Sequence, residues 1–171
     1  DFDNDTATTL ARGNLSRGLD HCRGVGNSNY GYFSGGSGDT AVERVDYAND
    51  SATSLEKGNG LSGWGRNAAG NASYGYFGGG GPGSSRTDVY RLDYSSDTTA
   101  VAPKGPLAAG RAEYACAIGN ISYGYWAGGE PSSTNDSRVD RIDYSNDTAT
   151  SLLRGTLSTR LYNSDRRVCL C

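Results

Sequence analysis

The chain has 171 residues, with 16 basic against 19 acidic side chains and a pI near 5.1, which suits one domain and argues against a nucleic-acid binder. Gly, Ser, Thr, Asn, Asp and Tyr dominate and all rank poorly in helices, so a helical bundle is excluded. No apolar run approaches the roughly 18 residues of a membrane-spanning helix, and no membrane insertion is expected.

Taken in chain order, the sequence repeats itself. It opens on Asp1-Phe-Asp-Asn-Asp-Thr6, which aligns with Asp143-Tyr-Ser-Asn-Asp-Thr148 near the other end. A first unit, about 19–55, carries Asn27-Ser-Asn-Tyr-Gly-Tyr-Phe33, the glycine pair Gly35-Gly36 and Val42-Glu-Arg-Val-Asp-Tyr47. A second, about 66–101, carries Asn71-Ala-Ser-Tyr-Gly-Tyr-Phe77, Gly79-Gly80 and Val89-Tyr-Arg-Leu-Asp-Tyr94. The third, about 112–153, carries Asn120-Ile-Ser-Tyr-Gly-Tyr-Trp126, Gly128-Gly129 and Val139-Asp-Arg-Ile-Asp-Tyr144. The anchoring Asp recurs at 1, 46, 93 and 143. A period in the mid-forties with four short β-type segments per unit predicts an all-β propeller of four-stranded blades.

Within the third unit the strands are expected near Tyr114–Ile118, Tyr123–Ala127, Arg138–Tyr144 and Thr148–Leu152. They should average five or six residues and fill nearly half the chain. The Ser-Asn-Asp between the last two suits a tight hairpin, because Asn and Asp tolerate positive φ. Alternation puts Tyr123 and Tyr125 on one strand face, with Gly124 and Trp126 on the other. Arg44 with Asp46, Arg91 with Asp93 and Arg141 with Asp143 likewise share faces, and read as ordered Arg–Asp pairs within or between blades. The competing reading is exposed pairs worth under about 1 kcal/mol. Fourteen Arg against two Lys favours fixed planar pairing over a loose cationic surface.

The Tyr-x-Tyr-aromatic strand ending in Gly-Gly, followed by Val-x-Arg-φ-Asp-Tyr, resembles a kelch-type propeller repeat. More closely, Asp143-Tyr-Ser-Asn-Asp-Thr-Ala-Thr150, the Arg-Gly-x-Leu-Ser strings and Gly-Asn-x-Ser-Tyr-Gly-Tyr resemble repeats of virion structural and tail-fibre-like proteins of aquatic phages. The resemblance covers nearly the whole chain except Leu161–Cys171, which has no Tyr-Gly-Tyr and no glycine pair. It implies a kelch-like propeller, a fold that hosts unrelated functions.

Three intact blades leave an N-terminal strand (Asp5–Leu10) and a C-terminal pair (Leu161–Cys171), a closing blade made of 1–11 with 160–171. It closes a four-bladed ring within one chain, or it is completed between subunits, since unpaired strand edges template further pairing.

Four cysteines, Cys22, Cys116, Cys169 and Cys171, are disulfide candidates. Cys169 and Cys171 point to the same side of a strand and cannot join without strain. Each is expected to reach Cys22 or Cys116, leaving no free thiol, or a neighbouring subunit. Four buried free thiols are the plain alternative. Seven Asn-x-Ser/Thr sequons (Asn4, Asn14, Asn49, Asn71, Asn120, Asn135 and Asn146) are glycosylation candidates, or simply turn residues.

The motifs of common chemistries are missing. His21 is the single His, so a zinc or multi-histidine copper site is not expected and any triad would pass through it. No phosphate loop occurs, and Asp1, Asp3 and Asp5 lack the Gly and distal Glu of a calcium loop. With no initiator Met, and no Met at all, the chain reads as a processed or partial sequence in which targeting is illegible. No enzyme, cofactor or metal is expected. The expectation is an extracellular structural repeat protein, a self-assembling subunit of a filament or virion fibre, with a carbohydrate-binding propeller as the alternative.

Overall fold

The computed structural model describes residues 10–35, 40–59, 61, 66–81, 86–98, 100–111, 115–129 and 136–158. These residues form three four-stranded antiparallel sheets, each an up-and-down meander in chain order. The first holds β1 (Arg23–Gly26), β2 (Tyr30–Ser34), β3 (Val42–Asp46) and β4 (Leu55–Lys57). The second holds β5 (Asn67–Gly70), β6 (Tyr74–Gly78), β7 (Val89–Asp93) and β8 (Ala102–Lys104). The third holds β9 (Ala115–Gly119), β10 (Tyr123–Gly128), β11 (Arg138–Asp143) and β12 (Leu152–Thr156). Helical structure among the described residues is limited to three 3-10 turns, Tyr47–Asn49, Tyr94–Ser96 and Tyr144–Asn146. The expected closing blade lies outside the described residues except for Leu10 and Ala11.

Two expectations about the strands need correction. The fourth strand of the third unit starts at Leu152, where Thr148–Leu152 was expected, and the described strands run three to six residues. The cause is the preceding turn, which is not a tight hairpin. Asp46, Asp93 and Asp143 each cap a 3-10 turn, their side chains accepting from the backbone N–H of Ala48, Ser95 and Ser145. That single turn uses residues a two-residue hairpin would have left to the strand. Positive φ plays no part there: among described residues other than Gly, only His21 adopts it.

Tyr-Gly-Tyr follows from packing. Gly31, Gly75 and Gly124 sit directly across from Gly26, Gly70 and Gly119 on the neighbouring strand. Over each glycine pair lies the Tyr that follows the capping Asp. A Cβ on Gly31 would stand 2.8 Å from the Tyr47 hydroxyl, one on Gly75 3.0 Å from that of Tyr94, and one on Gly124 2.7 Å from that of Tyr144. Only a bare backbone lets the ring lie flat on the sheet.

So placed, the rings meet the next sheet. Tyr94 of the second sheet stacks on Tyr32 of the first, centroids 4.8 Å apart, and Tyr144 of the third stacks on Tyr76 of the second at 4.6 Å. Around the first stack Val42, Leu61, Phe77, Leu92 and Val101 are buried; around the second, Val89, Leu107, Trp126 and Ile142. The core is therefore two parallel seams between three sheets. Gly124→Ala should cost about 1–3 kcal/mol by forcing Tyr144 and Trp126 aside. Gly18→Ala, where a Cβ meets nothing within 4 Å, should be neutral in the same urea titration.

Candidate functional site

The repeated polar residues converge at the seams. Arg44 on β3 reaches across to Asp97 (Nη1–Oδ2 2.7 Å), and the Tyr32 hydroxyl donates to the same oxygen at 3.0 Å. One sheet further on, Arg91 and the Tyr76 hydroxyl hold Asp147 at 2.8 and 2.9 Å, with Lys104 3.2 Å from its other oxygen. Burial first, then the adjacent carboxylate, raises the hydroxyl pKa of Tyr32 and of Tyr76 above the ordinary tyrosine value. Both stay protonated and act as donors. Each guanidinium also lies over a ring of its own sheet: Arg44 over Tyr30 at 4.4 Å, Arg91 over Tyr74 at 4.3 Å and Arg141 over Tyr123 at 4.2 Å.

The Arg–Asp pairing expected from shared strand faces is thus real in kind and wrong in partner. Asp46 and Asp93 cap turns, and Arg44 and Arg91 bind the Asp of the following sheet. A same-face Asp two residues away is already committed to its own backbone, so the arginine must look across the seam.

Sequence reasoning missed a second set. Arg111 is fully buried and holds Asp136 (2.8 Å), Asp140 (2.9 Å) and the carbonyl of Gly128 (2.8 Å). Arg66 grips Asp88 at 2.6 Å and the Gly79 carbonyl at 3.3 Å. Gly79 and Gly128 have φ of 66° and 70°, a left-handed backbone that favours glycine, so the glycine pairs serve these arginines. Buried Glu43 is held by Arg17 and by the Ser16 and Ser54 hydroxyls. The available signal was the variable residue in Val-x-Arg, which is Glu43, Tyr90 or Asp140 and meets an arginine each time.

A cleft of about 350 Å³ opens between the second and third sheets, lined by Asn71, Tyr74, Ile121–Tyr123 and Asp143–Ser145. Asp143 accepts from the backbone N–H and hydroxyl of Ser145, and these bonds hold its carboxyl below the usual range. An acid so held is a poor proton carrier, and the cleft offers aromatic and amide surface instead. Among the described residues no group of three or more His, Cys, Asp or Glu is placed to hold a metal. No described helix is long and apolar enough to cross a membrane.

Asn71 and Asn120 accept through their side chains from the N–H two and three residues on, and so does Asn27, which heads no sequon. Turn chemistry alone therefore accounts for these asparagines. Asn14, Asn49, Asn120 and Asn146 are exposed and Asn71 half-buried, while Asn4 and Asn135 lie outside the described residues. Cys22 is a free thiol, contrary to the expectation that none would be. Strand register explains why Cys22 and Cys116 are not equivalent. Counting from Gly26 and Gly119, Cys22 matches Ala115, one residue from Cys116, and a one-residue offset turns a side chain to the opposite face. Cys116 is half-buried on β9 and is not among the free thiols; Cys169 and Cys171 lie outside the described residues. His21 sits in the bend before β1, 3.6 Å from Asp20.

No family model matches the chain, and no curated protein matches it.

Arg111→Ala should cost about 3–5 kcal/mol in urea unfolding, because it strands two buried carboxylates. Burial opposes ionisation of Glu43 and Asp136, but hydrogen bonds from Ser54 and Ser16, and from Arg138, overcome it and hold both below their ordinary values. Carboxyls lower in the folded than in the unfolded chain stabilise fully above the unfolded pKa. Thermal stability should therefore be flat down to about pH 5 and fall as acid protonates these groups below about pH 4. A melting temperature that rises on acidification would contradict this.

Proposed function

We propose that the protein is a non-catalytic structural repeat protein, a self-assembling subunit of an extracellular filament or virion fibre. Its three sheets serve as kelch-like propeller blades, with the series completed by the chain termini or between subunits. The observation that carries this reading is the use of the repeated polar side chains. Tyr32, Arg44, Tyr76, Arg91, Asp97 and Asp147 all join one sheet to the next, and none of them lines the cleft between the second and third sheets. The sequence resemblance to phage virion repeats agrees with such a role, and the exposed sequons leave the surface open to glycans.

A second reading, a carbohydrate-binding propeller, is favoured by the cleft at Tyr74, Tyr123 and Asn71, since aromatic faces and amides suit sugar rings. Arginines already cover one face of each ring, which weakens it.

Negative-stain microscopy of concentrated protein should reveal filaments or regular linear assemblies. A strictly monodisperse monomer at high concentration overturns the structural role. On a glycan array, binding abolished by Tyr123→Ala would establish the second reading, and uniform silence would remove it.

A further inference from the structure

The seams within the chain are directional. At each, one sheet offers a Tyr and an Arg (Tyr32 with Arg44, Tyr76 with Arg91) and the next offers a Tyr and an Asp (Tyr94 with Asp97, Tyr144 with Asp147). Three sheets in a row leave one offering unused at each end. On the third sheet these are Tyr125 and Arg141; on the first, Tyr47 and Asp50.

Among the described residues neither end meets a partner sheet. Tyr32 and Tyr76 are fully buried, whereas their equivalent Tyr125 is only half-buried. Arg141 makes no ion pair among the described residues, where its equivalents Arg44 and Arg91 each make one. It is nonetheless held over Tyr123 as Arg44 and Arg91 are held over Tyr30 and Tyr74, so the guanidinium is already positioned to receive a carboxylate. At the other end Tyr47 packs on its own glycine pair yet remains 51% exposed, where Tyr94 in the same position is 9% exposed. The Asp50 side chain is 43% exposed against 9% for Asp97 and 8% for Asp147. It has Arg12 at 3.3 Å, as Asp147 has Lys104 at 3.2 Å, but lacks the second cation that Asp147 receives from Arg91.

We propose that the Tyr125–Arg141 face of one chain docks onto the Tyr47–Asp50 face of a second copy, with Arg141 pairing to Asp50 and Tyr125 stacking on Tyr47. The contact rests on the structural-subunit reading above and specifies its interface. It repeats the geometry of the two internal seams, matches positive to negative charge, and fills both ends with a single joint. The competing occupant of the third sheet is the Asp1–Thr6 segment, whose Phe2 and Asp5 stand at the repeat positions of Tyr47 and Asp50. That occupant would leave Tyr47 and Asp50 uncovered, and Leu161–Cys171 carries no Tyr-x-Tyr and no Val-x-Arg to cover them. A head-to-tail contact of this kind propagates into a filament, or into a ring if its rotation closes.

Sedimentation velocity over a range of concentrations of the full chain tests the contact. Wild type should self-associate reversibly. Arg141→Glu and Asp50→Arg should each weaken association by roughly thirty-fold or more, since each sets like charges against one another. Mixing the two variants should restore association, because each then supplies the charge the other lacks. Tyr47→Ala, which disturbs no charge, should also weaken it, and circular dichroism identifies any variant that has failed to fold. Association that survives both charge reversals overturns this interface while leaving the structural role standing. Loss with Asp5→Asn but not with Asp50→Arg overturns it in favour of the N-terminal segment. A wild-type chain that stays monomeric at every concentration overturns both the interface and the structural role.

Discussion

The carboxylate shared across each seam is the interaction on which the other repeated residues depend. Asp97 gathers the Tyr32 hydroxyl and Arg44, and Asp147 gathers the Tyr76 hydroxyl, Arg91 and Lys104. For Asp147 to reach that point, the turn before it must be a tight 3-10 turn capped by Asp143, which positions Tyr144 over the sheet. Tyr144 can lie there only because Gly119 and Gly124 present bare backbone. Its ring then stacks on Tyr76, whose hydroxyl closes the loop back to Asp147. Tyr-Gly-Tyr, Val-x-Arg-φ-Asp-Tyr and the following Asn-Asp or Ser-Asp are therefore parts of one joint.

A chain this poor in large aliphatic residues has reason to build its seams this way. Each sheet has four strands of three to six residues, and so narrow a sheet is stable only with a covered face. Stacked tyrosines bury large area and add roughly 0.5–1.5 kcal/mol per pair beyond it. The charged part is a different matter. Desolvating Arg and Asp offsets much of their attraction, so the pair contributes less to net stability than to the choice of one relative placement of the sheets. Stacked rings alone could slide past one another. A guanidinium and a hydroxyl meeting on one carboxylate oxygen cannot.

Much of this order was legible in the sequence because each repeat writes it again. The three units, their strand sequence, the shared face of Tyr123 and Tyr125 and the existence of Arg–Asp pairing all follow from spacing. What spacing could not supply was the partner. Arg44 and Asp97 are 53 residues apart, and a same-face Asp stands only two residues from every such arginine, so local arithmetic favours the wrong one. Burial of Arg111 was harder to read, because it stands outside the repeated motifs and its partner Asp140 becomes Glu43 and Tyr90 in the other repeats. Cys22 departs from expectation for a simpler reason: aligned on Gly26 and Gly119, it stands one residue out of step with Cys116.

The ends of the chain's sheet series bear on what the repeat is for. Repeat proteins that stop at a defined length replace the interior residues of their terminal repeats with polar ones that water can satisfy. Here the substitution has not been made. Tyr125 and Arg141 on the third sheet and Tyr47 and Asp50 on the first are the same residue types as their interior counterparts, although no described residue completes their joints. The two ends also differ from each other, one bearing a cation and the other an anion, so neither can serve as the self-complementary patch of a two-fold dimer. Among the described residues the two ends thus carry the two halves of one joint, and each presents the chemistry that its complement on another copy would complete.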